Sequence, residues 1–156
     1  MRAAPRPETV PRHAPPWRTT VSSTIHNISI DCRDTYALAG FWSQVFDCPR
    51  QPDDFPGDPE AMLLPPGGPV VLFLAVPEGK TVKNRLHLDL QPADRTRAEE
   101  VERLLGIGAT LVDDQTRPDG AGWVVLADPE GNEFCVLRSA AERAATSAAP
   151  GDTDTA

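Results

Sequence analysis

Alternating and helical patterns of apolar residues predict a regular order of elements in the first half of the chain. Residues 25–30 alternate between apolar and polar side chains, which predicts a half-buried strand. Asp34 then stands at an N-cap position, and apolar residues recur at helical spacing up to about Phe46, which predicts an amphipathic helix. Two short apolar strands, at 61–64 and 70–76, complete this half.

The second half repeats this order of elements. A strand is predicted at 85–90, and a helix is predicted from about residue 93 to residue 105, ended by Gly106 and Gly108. Three further strands are predicted at 110–113, 123–127 and 132–137, the last two joined by the turn Asp128-Pro-Glu-Gly131. The pattern is a duplication of architecture rather than of residues.

One α+β domain is therefore predicted at 23–139, made of two βαβββ modules at about 23–77 and 84–139. Residues 1–22 are rich in proline and arginine and contain no apolar run, so we expect a disordered tail there. Residues 140–156 are expected to form a disordered or frayed tail, in which a short helix frays into coil.

Charge and cysteine content exclude several classes of function. The formal net charge of −8 argues against binding nucleic acid, which needs clustered Lys and Arg. No apolar stretch approaches the roughly 20 residues of a membrane span, and the first 20 residues have no apolar segment typical of an export signal. Cys32, Cys48 and Cys135 are an odd number without a Cys-x-x-Cys spacing, so we expect free thiols and a cytoplasmic location.

Two groups of motifs resemble a known family. The first module contains Ile30-Asp-Cys-x-Asp34 followed by Ala37-Leu-Ala-x-Phe-Trp42. The second contains Asn84-Arg-Leu-His-Leu-Asp-Leu90 and Asp128-Pro-Glu-Gly-Asn-Glu-Phe-Cys-Val-Leu137. Together with the paired modules, they resemble the glyoxalase and bleomycin-resistance group, the vicinal oxygen chelate superfamily, and within it the glyoxalase-like branch. The resemblance implies one curled mixed sheet with helices on its outer face and a cup-shaped cleft on the other.

Strand periodicity assigns side chains to the two faces of that sheet. The apolar set predicted to face the helices is Leu86, Leu88, Leu90, Phe134, Val136, Ile28 and Ile30, and the polar set predicted to line the cup is His87, Asp89, Glu133, Cys135, Asn27, Ser29 and Asp31. Trp123 and Phe73 are aromatic candidates for stacking on a ligand in the cup, although aromatic residues in strands more often belong to the core.

The candidate residues are therefore of two kinds. His87, with Asp89 and Glu133 as acidic partners, is the candidate for acid–base catalysis, because imidazole exchanges protons near neutral pH. The alternative for His87 is a histidine hydrogen-bonded to the rim of the sheet. The candidates for ligand binding are Asn27, Ser29, Asp31, Phe73, Trp123 and Cys135. His26 lies on the apolar side of its strand and is expected to be structural.

A metal ion is not expected at the position that the family resemblance implies. Metalloenzymes of this family hold a metal through a His or Gln on the first strand, a Glu ending module one, a His opening module two and a Glu on the last strand. Only His87 matches this ligand set. The first-strand position falls on Asn27, and the strand that ends module one is apolar. The last-strand position falls on Cys135, two residues after Glu133. A reduced divalent-metal site of His87 and Cys135, helped by Asp89 or Glu133, is the alternative, as is a small buried cysteine without function.

Three functions are compatible with the sequence. The first is a metal-independent protein that binds a small organic molecule in its cup. The second is a glyoxalase-type lyase or isomerase in which His87 and an acidic partner move a proton, alone or beside an atypical metal. The third is a non-catalytic subunit of a homodimer. The expected partners are a small-molecule ligand and a second copy of the chain, without nucleic acid or membrane.

Overall fold

The computed structural model describes residues 23–147, and this range contains seven strands and three helices. The first module comprises β1 (Asn27–Cys32), α1 (Thr35–Phe46), β2 (Glu60–Leu63) and β3 (Val70–Ala75). The second comprises β4 (Asp89–Leu90), α2 (Arg97–Gly106), β5 (Thr110–Asp114), β6 (Val124–Ala127) and β7 (Glu133–Val136), and α3 (Ala140–Ser147) follows it. None of these helices is long and apolar enough to cross a membrane.

The strands form two sheets of the same design. The three-stranded sheet has the order β1-β3-β2 and the four-stranded sheet the order β4-β7-β6-β5. In both modules the first strand pairs in parallel with the last one, whereas the remaining pairs are antiparallel. A further strand between α1 and β2 is reduced to a single bridge between Arg50 and Leu63. The predicted α+β class is confirmed, with the strands in two sheets and with one strand fewer in the first module than in the second.

Helix α1 ties the two modules into one core. Its N-cap is Asp34, whose carboxylate accepts a hydrogen bond of 2.9 Å from the backbone N–H of Ala37, as the sequence predicted. The buried face of α1 includes Trp42, whose ring centroid lies 5.1 Å from that of Phe134 on β7. Because a helix of the first module packs on the last strand of the second, the modules share their apolar core.

The turn between β6 and β7 forms a second connection between the modules. The buried Asp128 carboxylate accepts hydrogen bonds from the backbone N–H groups of Glu130 and Asn132 and from the Trp42 indole, at 3.0, 2.9 and 3.1 Å. The Glu130 carboxylate accepts from the backbone N–H groups of Arg33 and Asp34, at the start of α1. The acids of this turn are therefore structural.

Two strands differ from the sequence prediction by more than one residue at an end. Strand β1 begins and ends two residues later than the predicted 25–30. The predicted strand 85–90 is shorter, because only Asp89 and Leu90 pair with β7 in the regular ladder. Leu86 is 73% exposed and does not join the apolar set that was expected to face the helices.

The start of the second helix also differs from the prediction, and a third helix follows the domain. Helix α2 starts at Arg97 rather than near residue 93, because Thr96 and Glu99 form a reciprocal capping box. Residues 140–147 form α3, in the tail that was expected to fray from a short helix, and Glu142 of this helix accepts hydrogen bonds from the backbone of Arg97 and Ser139. The predicted tail at 1–22 and residues 148–156 lie outside the described residues.

Candidate functional site

The parallel pairing of β4 with β7 brings three polar side chains of the second module together. The register places Asp89 opposite Cys135, and His87 lies two residues before Asp89 on the same side of the chain. The His87 Nε2 atom is 3.4 Å from the Asp89 Oδ1 atom. One donor atom from each of the three residues lies within 4.8 Å of the other two. The three side chains therefore lie on the same face of the sheet, as their alternation along the two strands predicted.

The Cys135 thiol is buried between the strands, whereas its two neighbours are open to solvent. The side chains of His87 and Asp89 are 44% and 54% exposed, and Cys135 is 5% exposed. Burial raises the pKa of Cys135, and the negative charge of Asp89 and a hydrogen bond from the thiol to that carboxylate raise it further, to about 11. At neutral pH the ligand-free Cys135 is a neutral thiol and not a nucleophile.

Glu133 is held by other partners than His87. Its carboxylate forms an ion pair of 2.9 Å with Lys80 and accepts a hydrogen bond of 3.0 Å from the backbone N–H of Asn84. Burial alone would raise the pKa of Glu133, but the Asn84 N–H and the Lys80 ammonium lower it to about 2. The carboxylate remains ionised at neutral pH, so Glu133 is unsuited to donate a proton to a ligand.

This ion pair gives a testable dependence of stability on pH. Glu133→Gln is expected to lower the free energy of unfolding at pH 7 by about 1–3 kcal/mol, because the Lys80 and Asn84 donors lose their charged acceptor. The folded-state pKa lies below the ordinary value of 4.5, so this stability is complete above pH 4.5 and is lost as the pH falls toward about 2. Urea unfolding of the wild type and the variant at pH 7 and pH 3 measures this contribution to stability.

Glu102, an exposed residue of α2, provides the control for that experiment. Glu102→Gln should change the free energy of unfolding by less than about 0.5 kcal/mol at both pH values. A stability difference between the wild type and Glu133→Gln that stays constant from pH 7 to pH 3 would contradict the described ion pair.

The cup of the second module is a cavity of about 390 Å³. Its apolar side consists of Trp123, Val125 and Leu137, and Trp123 remains 41% exposed. The polar side of the cavity is formed by His87, Asp89, Glu133, Cys135 and Lys83. A cavity of this size with an apolar wall and a few convergent polar groups is typical of small-molecule sites.

The residues predicted on the first module do not join this cavity. Ser29 and Asp31 line a smaller space of about 240 Å³ beside β1, to which His87 and Glu133 also contribute. The side-chain amide of Asn27 donates a hydrogen bond of 2.8 Å to the Ser29 hydroxyl. Phe73 is 0% exposed and lies in the core, because β3 places it opposite Ile30 on the helix-facing side. The expectation that Phe73 faces a ligand is therefore wrong.

Several residues of the cavity were missing from the sequence prediction. Val125 and Leu137 share the strand phase of Trp123 and Cys135, so the period-two rule could have identified both. Lys83 of the cavity, and Lys80 that pairs with Glu133 outside the cavity lining, belong to the irregular segment between β3 and β4, which carries no periodic signal. His26, predicted to be structural, is exposed.

Comparison with known proteins decides the family. The model of the family described as "Glyoxalase-like domain" matches residues 27–137, which include both modules. The chain belongs to the glyoxalase-like domain family. This match confirms the glyoxalase-like branch that the sequence motifs indicated. No protein among the curated ones matches it significantly.

Solved structures show the same fold for this glyoxalase-like domain. A glyoxalase/bleomycin resistance protein/dioxygenase family enzyme from Burkholderia phytofirmans PsJN is 23% identical, with a TM-score of 0.53 over 73% of this chain and 97% of that one. A variant of the fosfomycin resistance protein FosX from Listeria monocytogenes, complexed with Mn(II) and 1S,2S-dihydroxypropylphosphonic acid, is 17% identical, with a TM-score of 0.60 over 80% and 95%. FosX from Mesorhizobium loti is 18% identical, with a TM-score of 0.58 over 81% and 99%. At these identities the similarity shows the fold alone.

The four-ligand metal site implied by the resemblance does not fit this glyoxalase-like domain. Strand β3 has the sequence Val-Val-Leu-Phe-Leu-Ala and offers no side-chain donor. Asn27, on β1, directs its amide to Ser29, and the last-strand position holds Cys135. Among the described residues, the group of three or more side chains that could hold a metal ion is His87, Asp89 and Cys135, all from the second module.

Proposed function

We propose that this glyoxalase-like domain binds a small, flat organic molecule in the cavity of its second module. The observation that carries the proposal is the arrangement of the 390 Å³ cavity, in which an exposed tryptophan faces a histidine and carboxylate pair. The Listeria FosX neighbour was solved with a small organic phosphonic acid, which supports ligand binding by this fold. The proposal requires no donor from β1 or β3.

Each side of the cavity contributes a different interaction. The Trp123 ring offers an exposed face for stacking, and Val125 and Leu137 extend the apolar contact. His87 and Asp89 can hydrogen-bond to a hydroxyl or carbonyl group of the ligand, because both side chains are about half exposed. Lys83 places a positive charge at the same cavity, which favours a ligand with a negative or strongly polar substituent.

Proton transfer is a second candidate function, and the spacing of His87 and Asp89 favours it. At 3.4 Å, the Asp89 carboxylate can orient the imidazole and stabilise the imidazolium that forms when His87 accepts a proton from the ligand. A lyase or isomerase of this kind would rely on these two residues. Glu133 would have a supporting role, since its carboxylate is already bound by Lys80.

A ligand screen with a matched pair of histidine variants tests the proposed binding. We expect at least one of salicylate, catechol, indole and the adduct of methylglyoxal with glutathione to raise the melting temperature and to bind with a dissociation constant below about 1 mM. His87→Ala should weaken that binding at least tenfold, because the polar side of the cavity loses the imidazole that would hydrogen-bond to the ligand. Differential scanning fluorimetry and calorimetric titration of chelator-treated protein give both quantities.

His26 serves as the control in this screen, because it is exposed and contributes to none of the described cavities. His26→Ala should bind the same probe as tightly as the wild type does. If no probe binds, or if His87→Ala binds it as tightly as the wild type, the proposed binding site is wrong.

A further inference from the structure

We propose that His87, Asp89 and Cys135 form a three-ligand site for a zinc-class cation, assembled entirely from the second module. The site goes beyond the proposed function, because it needs no organic ligand. It also differs from the four-ligand set implied by the family, because it draws no donor from the first module and includes a sulfur atom. The structure thereby selects Asp89, rather than Glu133, as the acidic member.

Distances between the donor atoms support this assignment. Zinc bonds of about 2.0 Å to nitrogen or oxygen and about 2.3 Å to sulfur place tetrahedral ligands about 3.3–3.5 Å apart. The separation of 3.4 Å between the His87 Nε2 and Asp89 Oδ1 atoms already has this value. The three donor atoms lie within 4.8 Å of one another. Small movements of the exposed His87 and Asp89 side chains toward the buried Cys135 sulfur would bring all three donors to the distances of a shared metal ion.

Backbone pairing holds these donors in place. Asp89 and Cys135 are register partners in the parallel ladder of β4 and β7, and the Cys135 N–H donates a hydrogen bond of 2.8 Å to the Leu88 carbonyl, between His87 and Asp89. Glu133, one pleat away, is bound to Lys80 and to the backbone of Asn84. Its carboxylate would have to leave both partners to reach a metal.

The donor types determine which cation the site prefers. A thiolate and an imidazole favour zinc and cobalt over manganese and magnesium, which prefer sets of oxygen donors. Binding breaks the S–H bond of Cys135, releases the proton to solvent, and uses the sulfur electron pair for the bond to the cation, without any change in oxidation state. Three protein ligands leave a fourth position for water or for a ligand, which would face the same cavity as Trp123.

Cobalt(II) spectroscopy tests the site directly. Titration of chelator-treated full-length protein with Co(II) is expected to reach saturation at one ion per chain and to produce a thiolate-to-cobalt charge-transfer band, which Zn(II) then removes. Cys135→Ser should eliminate the band. His87→Ala, whose side chain is exposed and whose loss should leave the fold intact, and Asp89→Asn should each weaken Zn(II) binding at least tenfold in calorimetric titration.

Two matched variants separate this site from other cysteines and histidines of the chain. Cys48→Ser removes another buried thiol, and His26→Ala removes an exposed imidazole, so both should keep the band and the affinity. The proposal is overturned if no charge-transfer band forms, if the band survives in Cys135→Ser, or if Mn(II) binds as tightly as Zn(II). Since no organic probe is present, these outcomes are independent of whether the ligand screen succeeds.

Discussion

Asp128→Ala is expected to lower the melting temperature by about 10–20 °C, the largest effect on stability that the structure predicts for a single polar side chain. Asp128 is 2% exposed and accepts hydrogen bonds from the backbone of Glu130 and Asn132, from the Asn132 amide and from the Trp42 indole. Its removal leaves several of these donors without their charged acceptor, at a cost on the order of 3–5 kcal/mol.

Loss of the Asp128 carboxylate should weaken the packing between the two modules as well as the turn itself. Trp42 packs against Phe134, and the Glu130 carboxylate of the same turn binds the start of α1. Asp119→Ala is the control, because the Asp119 carboxylate also accepts a backbone hydrogen bond in a turn, but an exposed one, from Ala121. Equal melting temperatures for the two variants would show that Asp128 does not join the modules as described.

Trp123→Ala is expected to weaken binding of the best probe of the ligand screen by about 10–100-fold. The ring lines the apolar side of the cavity, and losing a stacking surface of this kind costs about 1.5–3 kcal/mol. Because Trp123 is 41% exposed, its removal should leave the fold intact. Calorimetric titration measures the affinity, and circular dichroism checks the fold.

Phe55 is the matched control for Trp123, since it is an exposed aromatic residue outside the cavity. Phe55→Ala should retain the wild-type affinity for the same probe. Unchanged affinity in Trp123→Ala would mean that the probe binds without using the apolar wall, and the assignment of this cavity would fail.

Local signals in the sequence are sufficient for the elements whose neighbours are close in the chain. Asp34 caps α1 as predicted, since the contact that stabilises the cap reaches only three residues ahead. The turn at Asp128 joins two adjacent strands, and its Pro and Gly mark it directly. Two of the three motifs that resemble the glyoxalase-like branch, at 30–42 and 128–137, include these two regions.

Long-range contacts account for the shortened first strand of the second module. The segment before β4 alternates like a strand, but contacts at the Glu133 carboxylate hold Lys80 and Asn84, and the regular ladder begins only at Asp89. The segment nevertheless keeps the alternation of its side chains, and His87 and Asp89 therefore both face the cavity. The start of α2 is a different case, because the capping box of Thr96 and Glu99 is a local signal that the sequence itself contains.

The predicted site residues also divide into those placed by local signals and those placed by contacts distant in the sequence. His87, Asp89 and Cys135 come together because period-two alternation holds within each strand. Phe73 was assigned to the wrong face, because its orientation follows from the parallel register that pairs it with Ile30, and that register is not visible in the sequence of either strand. The partner of Glu133 was not predicted, because Lys80 lies in a segment without periodicity.

A crystal structure of the protein with the probe that raises its melting temperature most is the most direct test of the proposed binding site. We expect the probe between Trp123 and His87, in the 390 Å³ cavity of the second module. A probe bound in the space beside β1, or elsewhere on the surface, with the second-module cavity empty, would contradict the proposed site.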